Sequence, residues 1–151
     1  MLAIQRKQDM QQFTDKTIVV PWDFSVMAKD ALAQAFEMAN SADQLEVIHV
    51  TPYPSAVEPS VVWGAYSESA IQANLEKSFR EEVTDARYAE VKFTAVFGDP
   101  GSRIAELAKE SDAGLIVISS HGRTGLTRMV MGSVAERVVR LAPCPVLVLR
   151  E

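Results

Sequence analysis

The sequence has little cysteine, no long apolar run and no excess of positive charge. Cys144 is the only cysteine in its 151 residues, which excludes an internal disulfide framework and a metal site built from several cysteines. No apolar stretch approaches the ~18 residues of a membrane-spanning helix. The 15 Lys and Arg residues against 20 Asp and Glu give a net charge of −5, so neither nucleic acid nor an anionic membrane is an expected partner.

The first residues also lack the apolar segment of a secretion signal. Residues 1–15 are polar and rich in glutamine, so we expect a flexible N-terminal extension and a cytoplasmic protein. Residues 16–151 are long enough for one domain with a substantial core. With 48% hydrophobic and 23% charged residues, the composition is that of an ordinary globular protein.

Several common enzyme motifs are missing as well. The chain has no Gly-x-x-x-x-Gly-Lys-Ser/Thr loop and no Gly-x-Gly-x-x-Gly fingerprint. No Ser-His-Asp order and no metal-ligand spacing stands out. The sequence therefore gives no positive indication of a dedicated enzyme.

What the sequence does contain is a regular alternation of short apolar runs and amphipathic segments. The apolar runs predict five strands, at 17–20, 45–50, 91–97, 115–119 and 146–149, and the segments between them predict helices at 25–40, 68–85, from 99 onward and at 132–141. Ser25 and Asp99 are the predicted helix caps, with Pro100 in the first turn. The proline-bearing stretch 51–67 is expected to be a loop or insertion. Near-continuous apolar strands separated by helices predict an α/β fold with a parallel sheet covered on both faces.

The most informative segment follows the fourth predicted strand. It reads Ser119-Ser120-His121-Gly122-Arg123-Thr124-Gly125, and a helix is predicted to begin near Gly132-Ser133. Glycines allow a close approach of the backbone to an anion, and a helix N-terminus supplies amides and positive potential. This predicts a nucleotide site. The loop Pro21-Trp22-Asp23-Phe24-Ser25 follows the first strand, and the two loops form one crevice if the first and fourth strands are neighbours.

At this point the chain resembles the universal stress protein family over nearly all of residues 16–150. The resemblance rests on several motifs in order: Val19-Val20-Pro21-Trp22-Asp23-Phe24-Ser25, His49-Val50, Gly98-Asp99-Pro100, Ser120-His121-Gly122-Arg123-Thr124-Gly125-Leu126, Gly132-Ser133-Val134-Ala135-Glu136 and Pro143-Cys144-Pro145-Val146. It implies a single universal stress protein domain over 16–151. It also implies a Rossmann-like, open five-stranded parallel sheet of order 3-2-1-4-5 with helices on both faces, in which strands 1 and 4 are adjacent.

The ATP-binding branch of this family carries Gly, two residues, Gly, nine residues, Gly and then Ser or Thr. Gly122, Gly132 and Ser133 match this pattern, but Ser119 stands where the first glycine belongs. If that position needs a left-handed backbone, serine costs roughly 1–2 kcal/mol. If it needs only room beside the ribose or phosphates, the added hydroxyl could clash or could donate a hydrogen bond. A penalty of about 1.4 kcal/mol is about tenfold in affinity. The substitution would therefore weaken binding without abolishing it.

The resemblance implies a role for each matching residue in binding ATP. Pro21 and Asp23 would lie at the adenosine, and Val50 would offer a backbone contact to the adenine edge. Ribose and phosphates would be enclosed by Ser119, Ser120, His121, Gly122, Arg123, Thr124 and Gly125, with Gly132, Ser133, Val134 and Ala135 presenting a hydroxyl and amides to the phosphates. Mg²⁺ would bridge phosphate oxygens, since no protein cage for it is evident.

Other polar residues near these motifs have simpler interpretations. His121 is interpreted as a residue that orders its loop rather than as a catalytic base, and His49 as a hydrogen-bonded core residue. Cys144 is assigned to packing. Arg123 and Arg128 are candidates to add charge near the phosphates, whereas Arg137 is interpreted as a surface charge.

Three alternatives to ATP sensing stay open at this stage. The same fold with an empty pocket could act as a dimeric interaction module. Ser133 could be slowly autophosphorylated, or the protein could be a slow ATPase. AMP or cyclic AMP could replace ATP, because contacts at Asp23 and Val50 would read adenosine rather than the number of phosphates.

The last predicted strand suggests how the protein assembles. Val146, Leu147, Val148 and Leu149 form an apolar run without charge that should lie at a sheet edge. A bare apolar edge is a liability unless it is covered or paired. We therefore expect a homodimer through this strand, and the family resemblance implies the same antiparallel pairing.

Overall fold

The computed structural model describes residues 13–54, 67–121 and 131–150. Strands and helices alternate along these ranges, in the order β1 (Ile18–Pro21), α1 (Val26–Met38), β2 (Leu45–Thr51), α2 (Glu68–Glu82), β3 (Lys92–Phe97), α3 (Pro100–Glu110), β4 (Leu115–Ser119), α4 (Ser133–Leu141) and β5 (Val146–Leu149). Short 3-10 turns lie at Ala42–Gln44 and Ala86–Tyr88. The predicted extension lies outside the described residues as far as residue 12.

The strands form one parallel sheet of order β3-β2-β1-β4-β5. The predicted order 3-2-1-4-5 is therefore confirmed. β1 lies in the middle, where Ile18 pairs with Leu45 of β2 on one side and with Leu115 of β4 on the other. The order of the strands reverses between β1 and β4, which is where ligands bind in open α/β sheets.

Alternate residues of each strand build two separate hydrophobic cores. On one face, Ile18 and Val20 of β1 pack with α1 and α2. On the other face, Val19 packs with α3 and α4. Fully burying an aliphatic side chain contributes about 1.5–3 kcal/mol, so burial on both faces anchors β1 and the site at its end.

The helices begin where the sequence predicted. Ser25 Oγ accepts a hydrogen bond from Ala28 N at 3.1 Å, and Asp99 Oδ2 accepts one from Ser102 N at 2.9 Å, with Pro100 in the first turn of α3. Both caps satisfy amides that an α-helix leaves without internal partners. Among the helices of the described ranges, none combines the length and the apolar character needed to cross a bilayer.

Candidate functional site

A cavity of about 290 Å³ opens at the carboxyl ends of β1, β2 and β4. The first turns of α3 and α4 form its remaining walls. Because β1 and β4 are adjacent, the loop after β1 and the segment after β4 meet at this cavity. The crevice that the sequence made conditional on this adjacency is present in the structure.

All of the predicted site residues that fall in the described ranges line this cavity. They are Pro21, Asp23, Val50, Ser119, Ser120, His121, Gly132, Ser133, Val134 and Ala135. The predicted residues Gly122, Arg123, Thr124 and Gly125 lie outside the described residues, as does Arg128.

The structure adds an apolar wall that the site prediction omitted. Its members are Ile48 and Ile118 from the sheet and Pro100 and Ile104 from α3, with Trp22 and His49 beside them. Helical spacing predicts that Ile104 lies on the inward face of its helix. The spacing could not show that this part of α3 lies beside the carboxyl end of the sheet, because that depends on where along the strands the helix packs.

The loop after β1 has an unusual backbone. Phe24 has φ +63°, a left-handed conformation that is uncommon for a bulky residue and marks strain held by its surroundings. Two contacts hold it: the Phe24 ring lies 6.0 Å from that of Trp22 and 5.2 Å from that of His49. Asp23 Oδ1 also accepts hydrogen bonds from Ser25 N at 3.1 Å and Ser25 Oγ at 2.5 Å. Asp23 thus shapes its own loop while it lines the cavity.

His49 connects the end of β2 to this loop. Its Nδ1 lies 2.8 Å from Trp22 O, and because a carbonyl only accepts, Nδ1 is the donor. Trp22 N in turn donates to Ile48 O at 2.8 Å. His49 is hydrogen-bonded, as predicted. The two bonds together fix the loop after β1, which carries residues predicted to lie at the adenosine, relative to β2.

Ser119 is the last residue of β4, where it pairs with Leu149. Among the described residues only Phe24 and Asp112 are non-glycine residues with positive φ, so Ser119 does not occupy a left-handed conformation. The energetic cost considered for a serine at this motif position therefore does not arise. Its Oγ donates to His121 O at 2.9 Å, which holds the first turn of the following loop.

His121 is left with a buried nitrogen that lacks a partner. Its Nδ1 lies 3.0 Å from Ser120 Oγ, whereas its Nε2 is buried and makes no hydrogen bond. A buried polar atom without a partner costs about 1–3 kcal/mol, so Nε2 is a natural contact for a polar group of a ligand.

The start of α4 lines the cavity. Gly132 is the N-cap residue and, being a glycine, offers no side chain to cap the helix. Gly132 N donates to Ser120 O at 2.7 Å, and a Cβ at Gly132 would lie only 2.9 Å from that same oxygen. Glycine is needed here because β4 and α4 approach each other so closely. The amides of Ser133, Val134 and Ala135 are the first of the helix, where positive potential is concentrated.

The described lining contains no lysine or arginine. In the part of the chain that the structure describes, no group of three or more His, Cys, Asp or Glu side chains could hold a metal ion. Any anion bound by these described walls would be held by amides and hydroxyl groups rather than by charged side chains.

Comparison with known proteins gives a consistent result. Residues 15–150 match the model of the universal stress protein family. A universal stress protein of Methanocaldococcus jannaschii is 31% identical over 141 residues, which cover 90% of this chain and 82% of that protein.

Solved structures agree with this match. The universal stress protein UspA of Lactobacillus plantarum superposes with a TM-score of 0.67 at 27% identity, covering 89% of this chain and 97% of that one. Two further structures share the fold. One is a universal stress protein in complex with cAMP, at 23% identity and TM-score 0.59, covering 91% and 98% of the two chains. The other is the Archaeoglobus fulgidus protein in complex with dAMP, at 24% identity and TM-score 0.57, covering 91% and 99%.

Proposed function

The chain belongs to the universal stress protein family, and from that premise we propose that its cavity binds an adenine nucleotide, ATP with Mg²⁺, as a regulatory ligand. The observation that carries the proposal is the start of α4, with glycine as its N-cap residue, beside Ser119, Ser120 and His121 in the cavity wall. A helix N-terminus next to hydroxyl groups is a general anion site. The two nucleotide complexes of the same fold support an adenine ligand.

The walls of the cavity combine the apolar and polar groups that a nucleotide requires. The apolar wall of Ile48, Ile104 and Ile118 suits a flat heterocycle, and Val50 offers its backbone beside that wall. Asp23 lines the same cavity, and in this proposal its carboxylate accepts a hydrogen bond from a ribose hydroxyl. Ser133 and the amides that follow it would receive the phosphates.

Magnesium in this proposal is held by the nucleotide. The ion prefers oxygen ligands and commonly binds substrate phosphates while keeping several waters. The donor set of the described walls, hydroxyl groups and amides with a single carboxylate at Asp23, fits an ion held mainly by phosphate oxygens. When bound, it would neutralise part of the phosphate charge.

We also propose that the protein is a homodimer joined through β5. All four residues of this strand, Val146–Leu149, are only half-buried. Exposed apolar side chains lie on the neighbouring helix α4, with Val139 at 47% and Leu141 at 45% exposure. Pairing β5 with its copy would satisfy the free backbone of the strand and cover apolar surface.

Native mass spectrometry of freshly purified protein, followed by chromatography of the released nucleotide, tests the ligand. ATP at close to one molecule per chain supports the proposal, whereas AMP or cyclic AMP keeps the site and changes the ligand. If nothing is released and added ATP causes no thermal shift, nucleotide binding is wrong and the dimeric interaction module is the better account. Phosphate release or labelling that disappears in Ser133→Ala would indicate the slow ATPase or autokinase.

A serine substitution tests where the phosphates bind. Ser133→Ala should weaken ATP binding about tenfold in calorimetry, because a hydrogen bond to a charged group is lost. Ser111→Ala is the matched control. Its hydroxyl bonds Leu107 O at the far end of α3, and its loss should leave the affinity unchanged. Equal affinities in the two variants would contradict the phosphate placement.

A further inference from the structure

Arg137 of α4 lies across the first turn of α3. A Cβ at Gly101 of α3 would fall 2.5 Å from Arg137 Cγ and 2.7 Å from its Cβ and Cδ. Distances under 3.0 Å are not tolerated, so only glycine at position 101 leaves room for the arginine stem. The two helices approach closely because one residue has no side chain and the other places its aliphatic stem in that space.

The guanidinium group ends on the cap of α3. Arg137 Nε lies 2.9 Å from Asp99 Oδ2, and one terminal nitrogen lies 3.4 Å from Ser102 Oγ. The same Asp99 oxygen accepts the hydrogen bond from Ser102 N that caps α3. The Ser102 backbone and hydroxyl, together with the charge of Arg137, hold the pKa of Asp99 below its ordinary value. The carboxylate is therefore charged at neutral pH and the ion pair is formed.

The contact between Arg137 and Gly101 joins the two helices that form walls of the cavity. Pro100 and Ile104 of α3 line the cavity on either side of Gly101 in sequence. Ser133 lines it from α4, one helical turn before Arg137. A change in the distance between α3 and α4 at Gly101 would move the apolar wall relative to the amides proposed to bind phosphate.

We propose that Arg137, seated on Gly101 and paired with Asp99, is a positioning residue that sets the separation of α3 and α4 and thereby the affinity of the cavity for an adenine nucleotide. This inference rests on the proposed function. Arg137 does not line the cavity, so it acts through the walls rather than by touching the ligand. Both members of the ion pair are about half exposed, and pairs of this kind add little to stability. Its effect should therefore appear in binding more than in unfolding.

Calorimetric titration with ATP and with AMP tests this role. Arg137→Ala should bind both nucleotides about tenfold more weakly, within the range of coupling seen between contacting residues. Arg140→Ala is the matched control. It removes an arginine of the same helix and its ion pair to Glu136 at 2.6 Å, and in the described ranges Arg140 forms no hydrogen bond or ion pair with α3. Its affinity should stay within about twofold of the wild type.

Two further variants separate the stem from the charge. Arg137→Met keeps an aliphatic stem on Gly101 and loses the ion pair, and Arg137→Lys keeps a charge. Both should bind more tightly than Arg137→Ala, and they decide the matter if the alanine variant does not fold. The double variant Asp99→Asn with Arg137→Ala should bind nucleotide no more weakly than Arg137→Ala alone. Both substitutions remove the same ion pair, so their effects on affinity should not add.

Backbone amide spectra provide a readout that does not depend on ligand. The resonances of Ser133, Val134 and Ala135 should shift in Arg137→Ala and not in Arg140→Ala. If the wild type binds nucleotide and Arg137→Ala binds equally well with unshifted resonances, the positioning role is overturned and the proposed function stands. If the wild type binds no adenine nucleotide, the proposed function is overturned and this inference with it.

Discussion

The two edge strands of the sheet, β3 and β5, differ in whether side chains bond their outward backbone groups. Gly98 N donates to Thr51 O of β2, and successive residues of a strand direct their backbone groups to alternate sides. The odd-numbered residues of β3 therefore direct theirs away from the sheet. Side chains from α2 and α3 bond these outward carbonyls: Arg80 to Val91 O at 2.8 Å, Gln72 Nε2 to Ala95 O at 2.8 Å and Arg103 Nε to Phe97 O at 2.9 Å. Helical side chains therefore occupy three outward carbonyls along this edge, those of Ala95 and Phe97 in β3 and that of Val91 just before it.

In β5 the corresponding groups are open. Ile116 N donates to Pro145 O and Ser120 N to Leu149 O, so the backbones of Val146 and Val148 point away from β4. Within the described ranges, no hydrogen bond reaches them. The two edges of the sheet therefore differ. Helical side chains occupy carbonyls along β3, whereas the apolar edge of β5 is open to pairing with a second strand.

The largest effect should come from placing a charge on the open edge. Val148→Lys should convert the proposed dimer into monomers or aggregates, because lysine at an apolar strand pairing is strongly disfavoured. Sedimentation velocity would measure the change. The control is Thr94→Lys on β3, where Glu46 lies beside position 94 with its Oε1 3.2 Å from Thr94 Oγ1. The control should sediment like the wild type, and an unchanged profile for Val148→Lys would contradict pairing through β5.

A medium effect should follow from uncovering the edge at β3. Arg80→Ala removes the donor to the carbonyl of buried Val91, and we expect a loss of about 1–2 kcal/mol in the free energy of unfolding in urea. Lys77→Ala on the same helix removes only an exposed pair with Glu81 at 3.8 Å and should cost less than about 0.5 kcal/mol. Equal losses in the two variants would mean that the bond to Val91 contributes little.

The smallest effect should be a loss of stability at acid pH through Asp99, which follows Gly98 directly after β3. The hydrogen bonds from Ser102 lower the pKa of Asp99 below its ordinary value of 3.8 in the folded protein. Stability from this carboxylate is therefore present above that value and is lost as the pH falls through the folded pKa. The difference in urea midpoint between wild type and Asp99→Asn should be present at about pH 7 and shrink at about pH 3. A difference that grows in acid would refute this account.

Much of the fold could be predicted because it follows from local patterns and a family resemblance. Apolar runs gave the strands within a residue or two, and the caps at Ser25 and Asp99 gave the helix starts. β1 extends to Pro21 rather than ending before it, because a proline lacks only the N–H and can still occupy the last position of a strand.

The site was less predictable wherever it depended on packing between distant elements. Ser119, an apparent departure from the motif, has an ordinary strand conformation. Arg137, interpreted as a surface charge, pairs with Asp99. No periodicity in α4 could indicate that pairing, since it arises from a glycine on another helix. Likewise, nothing in β3 itself reveals that Gln72 and Arg80 cover its edge.

The central position of β1 also has a consequence for how the chain is made. Ile18 pairs with Leu115, so β1 must wait for a partner about a hundred residues later in the chain, and such non-local pairing slows folding. At a synthesis rate of about 5–20 residues per second, that wait lasts about 5–20 seconds. During it, the central strand of the sheet has one side unpaired. The nascent chain is therefore most open to misassembly before β4 emerges from the ribosome.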